Sequence, residues 1–169
     1  MRHLLWIAVL SLAACRSDSP KPAASTQAPP TAQPPVAQAP APLPPSEATA
    51  GSAFNKLFPQ ATGDAKLVFA QEKDGFALAD LSIAGKKVAA LSISDTASNP
   101  SAREKFKTAS KRIGGYPVAA SGSQGTALLV ADRYQVQIRS SDSSFTAADR
   151  EAWIAKFPLT QLAALASKK

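Results

Sequence analysis

Gly75-Phe76-Ala77-Leu78-Ala79-Asp80-Leu81-Ser82-Ile83-Ala84-Gly85-Lys86-Lys87-Val88-Ala89-Ala90-Leu91-Ser92-Ile93 is the stretch whose patterning decides the fold class. Ala77, Ala79, Leu81 and Ile83 alternate with Phe76, Leu78, Asp80 and Ser82, and Ala89, Leu91 and Ile93 repeat the beat after Ala84-Gly85-Lys86. Successive side chains of a strand point to opposite faces, so this spacing predicts two strands joined as a hairpin by the glycine-containing turn.

Working outward, Lys66 to Glu72 reads as a further strand, stopped by Lys73-Asp74-Gly75. Ser52 to Phe58, ahead of Pro59, reads as a short helix or turn carrying two aromatic rings. Downstream, Asn99 is suited to an N-cap and Pro100 to a first helical position, while Gly114-Gly115 has the composition of a helix C-cap. Ala102, Phe106, Ala109 and Ile113 lie between them at spacings of four, three and four, which predicts a helix with one apolar stripe. Tyr116 to Ala120 is a candidate strand, and Thr126 to Ala131 with Tyr134 to Ser140 form a second hairpin around Asp132-Arg133. In its last strand Tyr134, Val136 and Ile138 face one way and Gln135, Gln137 and Arg139 the other, so one sheet face is covered and the other wetter. Thr146-Ala147-Ala148-Asp149 matches a capping box with Asp in the Glu position, opening a helix through Trp153 and Phe157 that Pro158 breaks; Thr160 to Ala166 adds a last amphipathic turn or two. The expected class is α+β: a single antiparallel sheet of five or six strands backed by helices, over residues 51–169. In element order it is similar to the PsbP/Mog1-like sandwich of some exported lipoproteins.

Upstream of residue 51 the composition changes. Of 14 prolines, ten lie between Pro20 and Pro45, among Ala, Ser, Thr and Gln, with Val36 and Leu43 the sole large aliphatics between Arg16 and Ala50. Such a segment buries too little apolar surface to offset the entropy of ordering it, so residues 15–50 are expected to be a disordered, extended tether. At about 3.1 Å per residue its full stretch is on the order of 100 Å. Further upstream, Met1-Arg2-His3 is a short positive head, followed from Leu4 to Ala14 by an unbroken run of apolar and small residues. That run is shorter than the roughly 20 residues of a membrane span and fits the apolar region of an export signal. It ends in Leu12-Ala13-Ala14-Cys15, which resembles the lipobox cut by the bacterial lipoprotein signal peptidase. The resemblance implies removal of residues 1–14 and lipidation of Cys15, giving a chain held to a membrane by its lipid in the cell envelope. Position 16 is Arg, not the Asp that retains enterobacterial lipoproteins in the inner membrane, which favours the outer membrane facing the periplasm where the source is Gram-negative.

Composition narrows the chemistry. The single cysteine is Cys15 and the single histidine is His3, so the processed chain would hold neither imidazole nor free thiol. Cys/His metal sites, histidine-based triads and cysteine nucleophiles are thereby excluded, and no cofactor or metal is expected. The carboxylate pairs Glu72/Asp74 and Asp149/Glu151 flank a turn and a helix start rather than marking an acid and a base, and Thr108-Ala109-Ser110-Lys111 lacks the companion motifs of a serine–lysine site. Ser121-Gly122-Ser123-Gln124-Gly125 has phosphate-loop composition without the Lys-Ser/Thr pair and reads as a loop between strands. The formal charge of +7 favours anionic partners, and its densest cluster, Arg103, Lys105, Lys107, Lys111 and Arg112, is the candidate anionic-partner surface. Arg103, Lys107 and Lys111 would line one face of the predicted helix. Nucleic acid is not expected, because the implied export takes the chain away from it. The expectation is a non-enzymatic envelope lipoprotein whose domain holds a cell-wall polymer or an envelope protein. An envelope enzyme or modulator acting on carbohydrate or peptide, and a small-molecule or lipid carrier, are the alternatives.

Overall fold

The computed structural model describes residues 48–167. The expected signal, Cys15 and tether up to residue 47 lie outside the described residues. A short helix α1 (Ser52–Asn55) leads into a three-stranded meander, β1 (Ala65–Lys73), β2 (Phe76–Ile83) and β3 (Lys86–Asp95). A 3-10 turn and a 3-10 helix, Thr96–Ser98 and Pro100–Phe106, connect to a second meander of β4 (Arg112–Ile113), β5 (Tyr116–Ala120), β6 (Gly125–Val130) and β7 (Tyr134–Ser140), followed by helices α2 (Ala147–Ile154) and α3 (Leu159–Ala166). The strands form one antiparallel sheet in the order β1-β2-β3-β7-β6-β5-β4, so the meanders join where β7 pairs with β3. The α+β class and the single antiparallel sheet are those expected from the sequence; the seventh strand is the two-residue β4.

Strand alternation explains where the core sits. Ala77, Ala79 and Leu81 of β2, Ala89, Leu91 and Ile93 of β3, and Tyr134, Val136 and Ile138 of β7 are all fully buried on one face. Phe54, Trp153, Ile154, Phe157 and Leu162 of the helical layer pack into the same cluster. Each of the leucine, isoleucine and valine side chains among them contributes about 1.5–3 kcal/mol by leaving water. The capping box expected at Thr146 is present: the Thr146 hydroxyl accepts from the Asp149 amide, and the Asp149 carboxylate accepts from the Thr146 amide at 2.8 Å. α2 ends ahead of Pro158, which becomes the N-cap of α3.

The segment after Asn99 departs from the sequence reading. Instead of an α-helix to Ile113, a 3-10 helix stops at Phe106, and Arg112–Ile113 pairs with Tyr116–Pro117 as a strand. Gly114 and Gly115, read as a helix cap, are the two turn residues of that hairpin, at φ +58 and +86. Two successive left-handed residues close a tight antiparallel turn whose twist matches its strands, which glycine does without strain. Asn99 does not cap with its side chain; its Oδ1 accepts from the Ser101 hydroxyl instead. Phe106 is buried as expected, but it packs with Ala119, Ala127 and Leu129 in a separate small cluster. By alternation along β6 these side chains lie opposite Leu128 and Val130 of the main core. β6 is therefore covered on both faces, and all six of its residues are buried.

Candidate functional site

The five basic residues singled out in the sequence do not form one face. The helix that would have aligned them ends at Phe106, and Arg112 is already in β4. Most of their charge is also met locally. Arg103 donates to the Asp132 carbonyl at 3.0 Å and pairs with its carboxylate at 3.6 Å. Lys107 pairs with Glu104 at 2.7 Å and Lys111 with Glu151 at 2.6 Å. Arg112 donates to the Gly115 carbonyl at 2.8 Å, tying off its own hairpin turn. The Lys105 ammonium lies 5.1 Å from the Phe106 ring, and burial pushes its pKa down. A recess of about 420 Å3 between the 3-10 helix and the β6–β7 turn includes Pro100, Phe106, Pro117 and Leu129, with Arg103 and Lys107 beside their carboxylate partners.

A second polar centre sits where the domain begins. The Asp95 side chain is fully buried at the end of β3. It accepts from Arg133 Nε at 3.0 Å and Nη2 at 2.8 Å, from the Ala97 amide at 3.0 Å, and from the amide and hydroxyl of Thr49, both at 3.0 Å. The Thr49 hydroxyl also bonds the Tyr134 hydroxyl at 2.9 Å, and the Thr49 carbonyl accepts from the Gly75 amide at 2.7 Å. Burial alone would raise the Asp95 pKa, but Arg133 and the Ala97 and Thr49 donors outweigh it and hold the carboxyl below its ordinary value. A carboxylate this fully engaged has a structural role: it locks the lead-in to the ends of the two central strands.

A third centre involves a residue the sequence reading did not single out. Arg150, on α2, is 8% exposed. Its Nε donates to Thr126 Oγ1 at 2.9 Å and its Nη1 to Ser140 Oγ at 2.8 Å, while Ser140 Oγ donates to the Phe145 carbonyl at 2.6 Å. Arg150 also lines a recess of about 220 Å3 with Thr126, Lys111, Glu151, Ala147 and the loop of Gly122 and Ser123. The glycine–serine loop, read as a connection between strands, is indeed the β5–β6 turn, and it forms one wall of this recess. Lys111 is the one member of the predicted basic set that the fold brings there. The sequence signal available was an arginine in the helix that carries Trp153 and Ile154 into the core, three and four residues before them, and only the fold shows that it is buried too.

The fourth feature is the outer edge of the sheet. β1 has a partner on one side only, and it bears Val68, 61% exposed, and Phe69, 49% exposed, the large hydrophobic side chains left in solvent among the described residues. Val68 is opposite Asp80 and Phe69 opposite Ala79, so the two side chains lie on opposite faces of the strand. Phe69 meets Phe58 edge-on at 5.2 Å, which props one side of the edge against the helical layer. A bulge between Phe69 and Gln71 leaves Ala65–Phe69 as a regular five-residue edge. Among the described residues no helix is long and apolar enough to cross a membrane, and no three His, Cys, Asp or Glu side chains gather as metal ligands. Compared with protein-family models, with curated proteins and with solved structures, the chain has no match.

Proposed function

We propose that this chain is a lipid-anchored protein of the cell envelope whose α+β domain is a non-catalytic binding module, and that it captures an extended segment of an envelope protein along β1. The observation that carries the reading is the open edge Ala65–Phe69, with Val68 and Phe69 exposed on its two faces. An edge strand presents unpaired backbone N–H and C=O groups, and an added strand satisfies them while its alternate side chains cover both faces. The fitting segment is apolar where it meets Val68 and Phe69 and carries an acidic residue opposite Lys66, which is exposed on the same edge. The lipobox resemblance and the proline-rich run ahead of the domain support the anchor and a reach away from the membrane.

A photo-crosslinking side chain at position 68 of the full-length chain, irradiated in intact cells, should give a discrete protein adduct. Adding Lys66→Glu to that chain should remove the adduct without loss of folded protein, because Lys66 is exposed. Adducts confined to polysaccharide, or a protein adduct unchanged by Lys66→Glu, would overturn the reading.

A further inference from the structure

We infer that the recess beside Arg150 is a binding site for a compact phosphoryl anion, separate from the β1 edge. The argument starts from an imbalance of charge. Taking a guanidinium out of water is costly unless an anion or a full set of acceptors meets it. Other partly shielded charges of the domain have opposite partners: Asp95 has Arg133, Asp142 has Lys86 and Asp80 has Lys87. Arg150 has two neutral hydroxyls, and among the described residues no carboxylate pairs with it and its Nη2 makes no hydrogen bond. The neighbouring Asp149 feels its charge, but that carboxylate is spent on the amide and hydroxyl of Thr146.

Among the small and apolar residues that line the recess, such as Val118, Ala119 and Ala120, several carry hydrogen-bond donors. The Thr126 hydroxyl accepts from Arg150 and keeps its own proton to give. Ser123 adds a second hydroxyl, and Gly122, at φ +71, lets the loop backbone turn beside it. Ala147 is the first residue of α2, where helix amides have no partner within the helix. Lys111 adds an ammonium group. Donors supplied by a strand, a loop and a helix around one recess suit a tetrahedral group with three outer oxygens better than a planar carboxylate with two. The recess of about 220 Å3 exceeds the roughly 30 Å3 share of one water, so it has room for such a group. Glu151 opposes the anion: its carboxylate lines the recess and holds Lys111 at 2.6 Å. Phosphate and Glu151 therefore compete for Lys111, which gives two surface substitutions opposite signs.

The test is titration of the full-length chain in detergent with inorganic phosphate, followed by the amide NMR signals of Ser123, Thr126 and Ala147. These signals should saturate together. Lys111→Gln should weaken binding about threefold and Glu151→Gln tighten it by about as much, the size expected for one partly exposed charge. Arg150→Lys should weaken it at least about tenfold, as expected for loss of a charged hydrogen-bonding group. Should that variant fail to fold, the two surface substitutions still decide the matter. Glycerol phosphate binding more tightly than inorganic phosphate would support a phosphoryl end group on a larger envelope molecule, and equal binding would support the free ion. Shifts that do not saturate, acetate binding as tightly as phosphate, or Glu151→Gln without a gain would overturn the assignment. None of these readouts depends on position 68, so this site and the edge fail or stand separately.

Discussion

Asp95 is the residue on which most of the polar order of the domain converges. Removing one charge of a buried ion pair is strongly destabilising, and Arg133 is one-fifth exposed and also lies over the Tyr134 ring, so Asp95→Asn should cost about 3 kcal/mol, the lower end for such a loss. Urea unfolding at neutral pH measures it. The pH dependence follows from the depressed pKa of the folded carboxyl. Its stabilisation is complete above the unfolded value of about 3.9 and drains away as pH falls through the lower folded value. Asp142, held down by Lys86 and Ser144, and Asp149, held down by Thr146, have shifts of the same sign. The urea midpoint should therefore stay level from about pH 7 to 5 and fall steeply below about pH 4, with a shallower acid limb in Asp95→Asn. A midpoint that rises on acidification would contradict the assignment. Neither this centre nor Arg150 could be read from the sequence. Asp95 meets Thr49 across 46 positions, and the hydroxyls around Arg150 come from positions 126 and 140. Local spacing carries no information about partners that only the sheet brings together.

At the level of elements, β2, β3 and β7 were legible because alternation is a strong local signal where one face is buried, and β6, buried on both faces, was legible as a short apolar run beside a turn. The stretch from Pro100 to Tyr116 was not. Ala102, Phe106, Ala109 and Ile113 mimic a helical stripe, yet Phe106 and Ile113 end in different clusters, because the chain turns between them. Ile113 pairs with Tyr116 across Gly114-Gly115, and tertiary pairing overrides a spacing that was accidental. This makes a prediction about the turn. Gly115 has a φ of +86 and open space around its α-carbon, so the obstacle to a side chain there is conformational. Gly115→Val should cost about 1–2 kcal/mol by thermal or urea unfolding. Gly115→Asn should be much milder, since Asn visits left-handed conformations more readily. Equal losses for the two would argue against the tight turn.

For the molecule as a whole, the anchor proposed at Cys15 makes a direct prediction. Cys15→Ser should move the protein from the membrane pellet to the soluble fraction, and mass spectrometry of the native protein should find an acylated amino-terminal cysteine; a bare thiol or a retained leader would refute the proposal. The place where the preceding chain joins the domain has a mechanical consequence. A pull applied ahead of residue 48 meets Thr49 first, and Thr49 is fastened to Asp95 of β3, to Tyr134 of β7 and to Gly75 of the β1–β2 turn. β3 and β7 are neighbours at the middle of the sheet. Such a load would be shared among several bonds at once, at the middle of the sheet, rather than peeling β1 away residue by residue.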